Sequence, residues 1–150
     1  MAYQKTFAML KPGALQRRIV GELISRMERK GLKIIGMKMM KASRELLQEH
    51  YAEHKGKPFF EDLVSYVSSS PVLAMVVAGD DAIPMLRLLC GATKVDQAVP
   101  GTIRGDYAAA TTKNIIHASD SPESAEREIS LWFAEDEILE WDDPNKEWFV

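Results

Sequence analysis

His50, His54 and His117, with a handful of acids and cations beside turns, are the residues whose types could do chemistry. His117 closes the apolar stretch Asn114-Ile115-Ile116-His117 and stands four residues before Ser121-Pro122, a pair suited to opening a helix. A helix start presents unpaired N–H groups, so an imidazole there could meet an anion. On position alone, a satisfied core or turn histidine explains it more simply. Glu128 alters that balance. Over residues 121–133 the positions Ala125, Ile129, Trp132 and Phe133 form one apolar stripe. Glu128 flanks the stripe on the Trp132 side, while Glu126 and Arg127 point away. A carboxylate at that edge could reach the imidazole, fix its tautomer and raise the basicity of the other nitrogen. A solvated helix-face acid is the alternative.

Among the cations, Lys11 precedes Pro12, which disfavours the helical region and holds the lysine extended at a strand end. An ammonium placed so could serve a phosphate or simply face solvent. Arg87 lies beyond the edge of the stripe Ala82, Met85, Leu86 and Leu89, and Arg104 sits between Ile103 and Gly105; each by itself reads as a surface arginine. His50-Tyr51-Ala52-Glu53-His54 matches H-x-x-E-H, a spacing used by one class of zinc peptidases. Its helix stops at Lys55-Gly56, and only His117 is left as a further histidine. Tyr51 shares a side with Leu46, Leu47, His50 and His54, so its ring faces the body with the hydroxyl at the edge. Phe59 lies off the centre of the stripe Phe60, Leu63, Val64 and Val67 and could stack on a base or pack a loop.

The elements that must position these groups follow from periodicity and punctuation. Residues 3–10 form a β-rich stretch ended by Lys11-Pro12-Gly13, and residues 19–30 a helix stopped by Gly31. Residues 32–42 read as a strand. Ser43 caps a helix running to His54, and residues 59–69 form another. Residues 72–78 are a buried strand. Asp80 or Asp81 then caps a helix with Pro84 in its first turn and Gly91 at its end. Residues 92–106 are irregular, 114–117 a short strand and 121–133 a helix. The tail has no clear period, but its Trp141, Trp148 and Phe149 are expected to pack on the body or on a neighbour. Strands alternating with helices suggest an α/β (α+β) domain over residues 1–150. The expected architecture is ferredoxin-like βαββαβ, a four-stranded antiparallel sheet with helices on one face and a helical hairpin inserted. A doubly wound sheet is the rival, but Lys11-Pro12-Gly13-Ala14 is not its Gly-rich turn.

The composition is that of an ordinary globular domain, 46% apolar and 27% charged, and the net charge of −3 excludes a basic nucleic-acid footprint. Any anion site must then be a local cluster of cations. The single Cys90 permits no internal disulfide and reads as a small buried residue. No signal-peptide core or membrane-length apolar run is present, so a cytoplasmic location is expected.

Taken together, these residues resemble the nucleoside diphosphate kinase family over nearly the whole chain. The likeness runs through Thr6-Phe7-Ala8-Met9-Leu10-Lys11-Pro12, His54-Lys55-Gly56-Lys57-Pro58-Phe59-Phe60, Gly91-Ala92-Thr93 and Pro100-Gly101-Thr102-Ile103-Arg104-Gly105-Asp106. Its most specific part is the signature Asn114-Ile115-Ile116-His117-Ala118-Ser119-Asp120-Ser121. The resemblance implies ping-pong transfer of the γ-phosphate of ATP or another nucleoside triphosphate to a nucleoside diphosphate, with Mg²⁺ as cofactor and a homo-oligomer, commonly a hexamer, as the working form. His117 resembles the nucleophile that becomes phosphohistidine and Glu128 the acid that orients it. Lys11, Tyr51 and Asn114 resemble groups around the phosphate and sugar hydroxyl. Arg87, Thr93 and Arg104 resemble the phosphate binders, and Phe59 with Leu63 the clamp on the base. Stacking without edge-reading bonds implies broad base tolerance.

Three departures stand out. Thr111 replaces an apolar residue usual at the base pocket, Ala118 a glycine, and Lys94-Val95 a frequent Asn-Pro. A non-catalytic ferredoxin-like binding module and a zinc hydrolase are the competing classes; the first lacks the aromatic strand motif of an RNA binder and has no need of His117 with Glu128.

Overall fold

The centre of the molecule is two strands with no face for water. β1 (Tyr3–Leu10) and β3 (Val72–Asp80) are buried on both sides over Thr6–Leu10 and Val72–Ala78, because apolar layers cover the sheet above and below. The computed structural model describes residues 2–149. β2 (Lys33–Met40) and β4 (Ile116–Ala118) complete a four-stranded sheet of order β2-β3-β1-β4 in which neighbouring strands are antiparallel. In that register Met9 stands opposite His117 and Phe7 opposite Val76. This is the ferredoxin-like arrangement.

The helices occupy both faces of the sheet, where the sequence suggested one. α1 (Val20–Arg29) and α4 (Ala82–Cys90) pack Leu23, Met27, Leu86 and Cys90 against Ala8, Leu10, Met75 and Val77. On the other face lie α2 (Arg44–His50), α3 (Phe60–Ser68) and α6 (Pro122–Trp132). They cover Phe7, Met9, Ala74 and Val76 with Leu47, Val64, Val67 and Trp132. Alternation along β1 sends odd and even residues to opposite layers, which is why its run reads as continuously apolar.

Caps set several boundaries. Ser43 Oγ accepts from Leu46 N at 3.1 Å and Ser121 Oγ from Ser124 N at 3.1 Å, starting α2 and α6 as the sequence suggested. α4 is different. Asp81 holds the cap position with φ +51° but its side chain caps nothing; Gln4 Oε1 on β1 takes the Ile83 N–H at 3.0 Å instead. α2 ends at His50, and residues Ala52–His54 form a separate 3₁₀ turn, so the expected helix to His54 is two pieces. The supposedly irregular stretch 92–106 holds a short helix, α5 (Ile103–Tyr107), started by Thr102 Oγ1 accepting from Gly105 N at 3.0 Å. Gly105 is required there: a Cβ would collide with the Val99 carbonyl oxygen. The tail returns to the sheet, with Leu139 N donating to Ile35 O at 2.8 Å and Trp141 Nε1 to Ile34 O at 3.0 Å. Trp148 is exposed, and Phe149 lies against Gly31.

Candidate active site

The strand expected over 114–117 begins two residues late because Ile115 turns the chain sharply. Its φ is +76°, rare for a β-branched residue, and Ile116 N donates back to Asn114 O at 2.8 Å, closing a three-residue γ-turn. Such strain persists only where the surroundings over-determine it. Arg104 supplies much of that constraint from α5. Its Nε donates to Asn114 O at 3.3 Å and an Nη2 N–H to Ile116 O at 2.6 Å, gripping both carbonyls that flank the turn. Nη1 donates to Gly91 O at 2.9 Å. The side chain read as a surface arginine is thus buried, with two of its five N–H groups left over.

Past the turn, β4 delivers His117 beside α6. His117 Nε2 lies 2.8 Å from Glu128 Oε1, and Ser119 Oγ donates to the same oxygen at 2.7 Å. Glu128 belongs to the buried side of α6 with Ala125 and Trp132 rather than flanking it. A carboxylate can be buried there because two donors satisfy it. The pair puts the Nε2 proton toward Glu128 and leaves Nδ1 of His117 as the free lone pair.

The cations converge through Asn114. Lys11 follows β1, its backbone N–H donating to Ile115 O at 2.8 Å, while Tyr66 holds the Pro12 carbonyl at 2.9 Å. Its ammonium donates to Asn114 Oδ1 at 2.8 Å, and Asn114 Nδ2 donates to Thr93 O at 3.2 Å. Lys11 is 8% exposed. Burial, and then the charge of Arg104, lower its pKa from 10.5 to about 8. Arg87 donates to Ala118 O at 3.0 Å and so lies one residue from His117 along the chain. Cys90 beneath this group is pushed up to about 11 by burial, an inert thiol. A cleft of about 730 Å³ beside the group shares Arg87 and Thr93 with it, but none of Lys11, His117 or Glu128 lines it.

Phe59 and Leu63 share no hydrogen bond with this cluster. A line of rings connects them to it: Phe59 to His54 at 5.2 Å, His54 to Tyr51 at 6.2 Å, Tyr51 to His50 at 4.5 Å and His50 to His117 at 4.5 Å. Phe59 is exposed and Leu63 half-buried. Thr111 is exposed, its Oγ1 accepting from Val95 N at 3.1 Å. Thr111 and Val95 are thereby one feature, because a proline at 95 would have no N–H to give Thr111.

Three residues of the site were not singled out for it in the sequence. Ser119 lies inside the signature, and Trp132 is one helical turn beyond Glu128. His50 shares the H-x-x-E-H spacing with His54, a competing motif in the sequence, but the two belong to different turns and His50 faces His117 instead. Ligand atoms of His50, His117 and Glu128 lie within 4.8 Å of one another. Trp132 Nε1 donates to His50 Nδ1 at 3.0 Å, so the proton of a neutral His50 is on Nε2, where a metal would need a lone pair. That argues against a zinc centre.

The nucleoside diphosphate kinase family model matches residues 4–138. Among curated proteins, a nucleoside diphosphate kinase of Archaeoglobus fulgidus is 55% identical over 145 residues, 97% of this chain and 96% of that protein. One from Treponema pallidum is 52% identical over 149 residues, 99% of this chain and all of that protein. Among solved structures, the halophilic enzyme of Halobacterium salinarum in complex with CDP superposes with a TM-score of 0.96 at 47% identity, covering 99% of both chains. A family protein of Babesia bovis gives 0.94 at 40%, covering 98% of this chain and 99% of that one. With this fold and a model match over most of its length, the chain belongs to the nucleoside diphosphate kinase family.

Proposed function

We propose that His117 carries the phosphate of the family reaction, the transfer of a terminal phosphoryl group from a nucleoside triphosphate to a nucleoside diphosphate. The observation that carries this reading is the Glu128 contact at Nε2, which leaves Nδ1 as the one unpaired nitrogen of a half-buried imidazole. In the first half-reaction the Nδ1 lone pair forms a bond to the γ-phosphorus. The bond from that phosphorus to the bridging oxygen breaks, and the diphosphate leaves with the electron pair. In the second half the terminal oxygen of another diphosphate attacks the phosphorus and the P–N electrons return to Nδ1. The Nε2 proton stays between imidazole and Glu128 throughout, so the protein supplies orientation rather than a proton.

Lys11, Arg87 and Arg104 then meet the charge of the transferring group, which passes through a loose, electron-rich transition state. Lys11 has its direction set by Asn114, and Arg104 retains two N–H groups. The Tyr51 hydroxyl is buried without a partner and its ring meets that of His50 beside His117, which supports a place for it at the phosphate, and Thr93 is joined to Asn114 through its carbonyl. Phe59 and Leu63 hold the base, with Thr111 at the rim. The halophilic relative was solved with CDP, which supports a nucleoside diphosphate as ligand here. Mg²⁺ is expected to arrive on the nucleotide phosphates. It prefers oxygen ligands, and the cluster formed by His50, His117 and Glu128 is mostly nitrogen. When bound, it would neutralise phosphate charge.

The test is direct. The protein incubated with γ-labelled ATP and Mg²⁺ should take up one acid-labile, base-stable label, which ADP, GDP, UDP or CDP should each remove. Labelling that persists in His117→Ala sinks the carrier role. Strict dependence on one base contradicts the stacking role of Phe59.

The chain is further proposed to work as one domain in a homo-oligomer, a hexamer, in the cytoplasm. Met37 and Met39 stand exposed on the edge strand β2, and Leu88 and Val99 are exposed elsewhere, which supports association. The free buried Cys90 suits a reducing compartment. Among the described residues no helix is long and apolar enough to cross a membrane.

A further inference from the structure

Two buried donors on the α2 side of the sheet lack an acceptor, and both lie in the ring cluster around His117. The His50 Nε2 and the Tyr51 hydroxyl are enclosed and make no hydrogen bond. Their rings are 4.5 Å apart, and the His50 ring meets that of His117 at 4.5 Å and 79°. The other enclosed orphan among the described residues, Thr6 Oγ1, is on the opposite face of β1, since its neighbour Phe7 packs toward α2. An unpaired buried donor costs more than an ordinary hydrogen bond gains, so two of them beside a reacting imidazole mark the place of an acceptor.

The tautomer of His50 is decided by its neighbour. Indole nitrogen only donates, and Trp132 Nε1 donates to His50 Nδ1 at 3.0 Å. Nδ1 therefore keeps its lone pair and Nε2 carries the proton. Burial first, then the nearby charges of His117, Arg127, Lys11 and His54, lower the His50 pKa to about 2, so the neutral ring is the form present. His50 is thus a donor fixed in direction, 2% exposed, with nothing to donate to until an oxygen-rich group arrives.

We propose that His50 Nε2–H is a hydrogen-bond donor, beside the Tyr51 hydroxyl, to the phosphoryl group carried on His117. The proposal rests on His117 being the carrier. As the P–N bond to Nδ1 forms and the diphosphate leaves with its electron pair, the transferred oxygens keep their negative charge; His50 donates to one of them and loses no proton. The resting protein leaves two donors unmet and the phosphorylated protein satisfies them. His50 thereby favours the phosphorylated intermediate over the free enzyme.

The experiment is NMR on the full chain with ¹⁵N-labelled histidines, before and after phosphorylation with Mg-ATP and removal of nucleotide. His50 should show a proton on Nε2 and none on Nδ1, and the Nε2–H resonance should move downfield when His117 is phosphorylated. A proton on Nδ1, or an Nε2–H that stays put while phosphohistidine is present, overturns the inference and leaves the carrier role standing. No phosphohistidine at all overturns both. In single-turnover labelling, His50→Leu should slow phosphoenzyme formation about tenfold or more with nucleotide KM retained, and His50→Gln, which keeps an N–H, should recover part of the rate. Equal rates in Leu, Gln and parent count against it.

Discussion

Lys11 shows how far one residue's behaviour depends on its surroundings. In the sequence it was a strand-end lysine that could as well have faced water; in the fold it is enclosed beside Arg104 and tied to Asn114. Because burial lowers its pKa to about 8, the ammonium is charged below that pH and loses its charge as pH rises through it. The expected outcome is a kcat/KM for nucleotide that falls above about pH 8, and a Lys11→Arg variant whose profile lacks that limb. A profile unchanged by the substitution would remove Lys11 from the phosphate site. Glu128 was legible as a partner for His117 from helical spacing, because 3.6-residue periodicity places it on a definite side of α6. The place of His50 was not, because its tautomer is set by Trp132, 82 residues away.

At the scale of elements, α5 and the γ-turn at Ile115 are one device. The short helix positions Arg104, and Arg104 holds the carbonyls of Asn114 and Ile116 on either side of a backbone conformation that isoleucine resists. Arg104→Lys keeps the charge but not the three-way fork, so it should cost about 2–4 kcal/mol of stability and also reduce activity. Urea unfolding checks the first and single-turnover labelling the second; full stability with lost activity would make Arg104 a phosphate ligand only. The helix itself escaped the sequence reading because it has five residues, with a glycine in the middle. That glycine is there for close approach to Val99, a long-range contact that periodicity does not register.

For the molecule as a whole, two testable consequences follow. His50 takes a proton below pH 6.5 in the unfolded chain but in the fold only near pH 2. The unfolded state therefore binds more protons between those values, and stability should drop as pH falls below 6.5, by up to about 1.4 kcal/mol per pH unit from this group. Urea midpoints at pH 7 and pH 5 should differ more in the parent than in His50→Gln; the same difference in both would assign the acid sensitivity elsewhere. Light scattering at working concentration should return six times the 16.8 kDa chain mass, and a monomer mass would end the oligomer proposal.

The order of strands and helices, the caps at Ser43 and Ser121 and the family signature were all determined by the sequence, because they depend on residues within a turn or two of one another. The layering of helices on both faces, the cap that Gln4 gives α4, the γ-turn clamped by Arg104 and the tautomer of His50 were decided only by the tertiary structure. Each joins elements far apart in the chain, and no local period carries that information. His117 lies between the two. Its candidacy was local, but the carboxylate that meets its Nε2 and the unpaired buried donors of His50 and Tyr51 come together only when α2, β4 and α6 pack on one sheet.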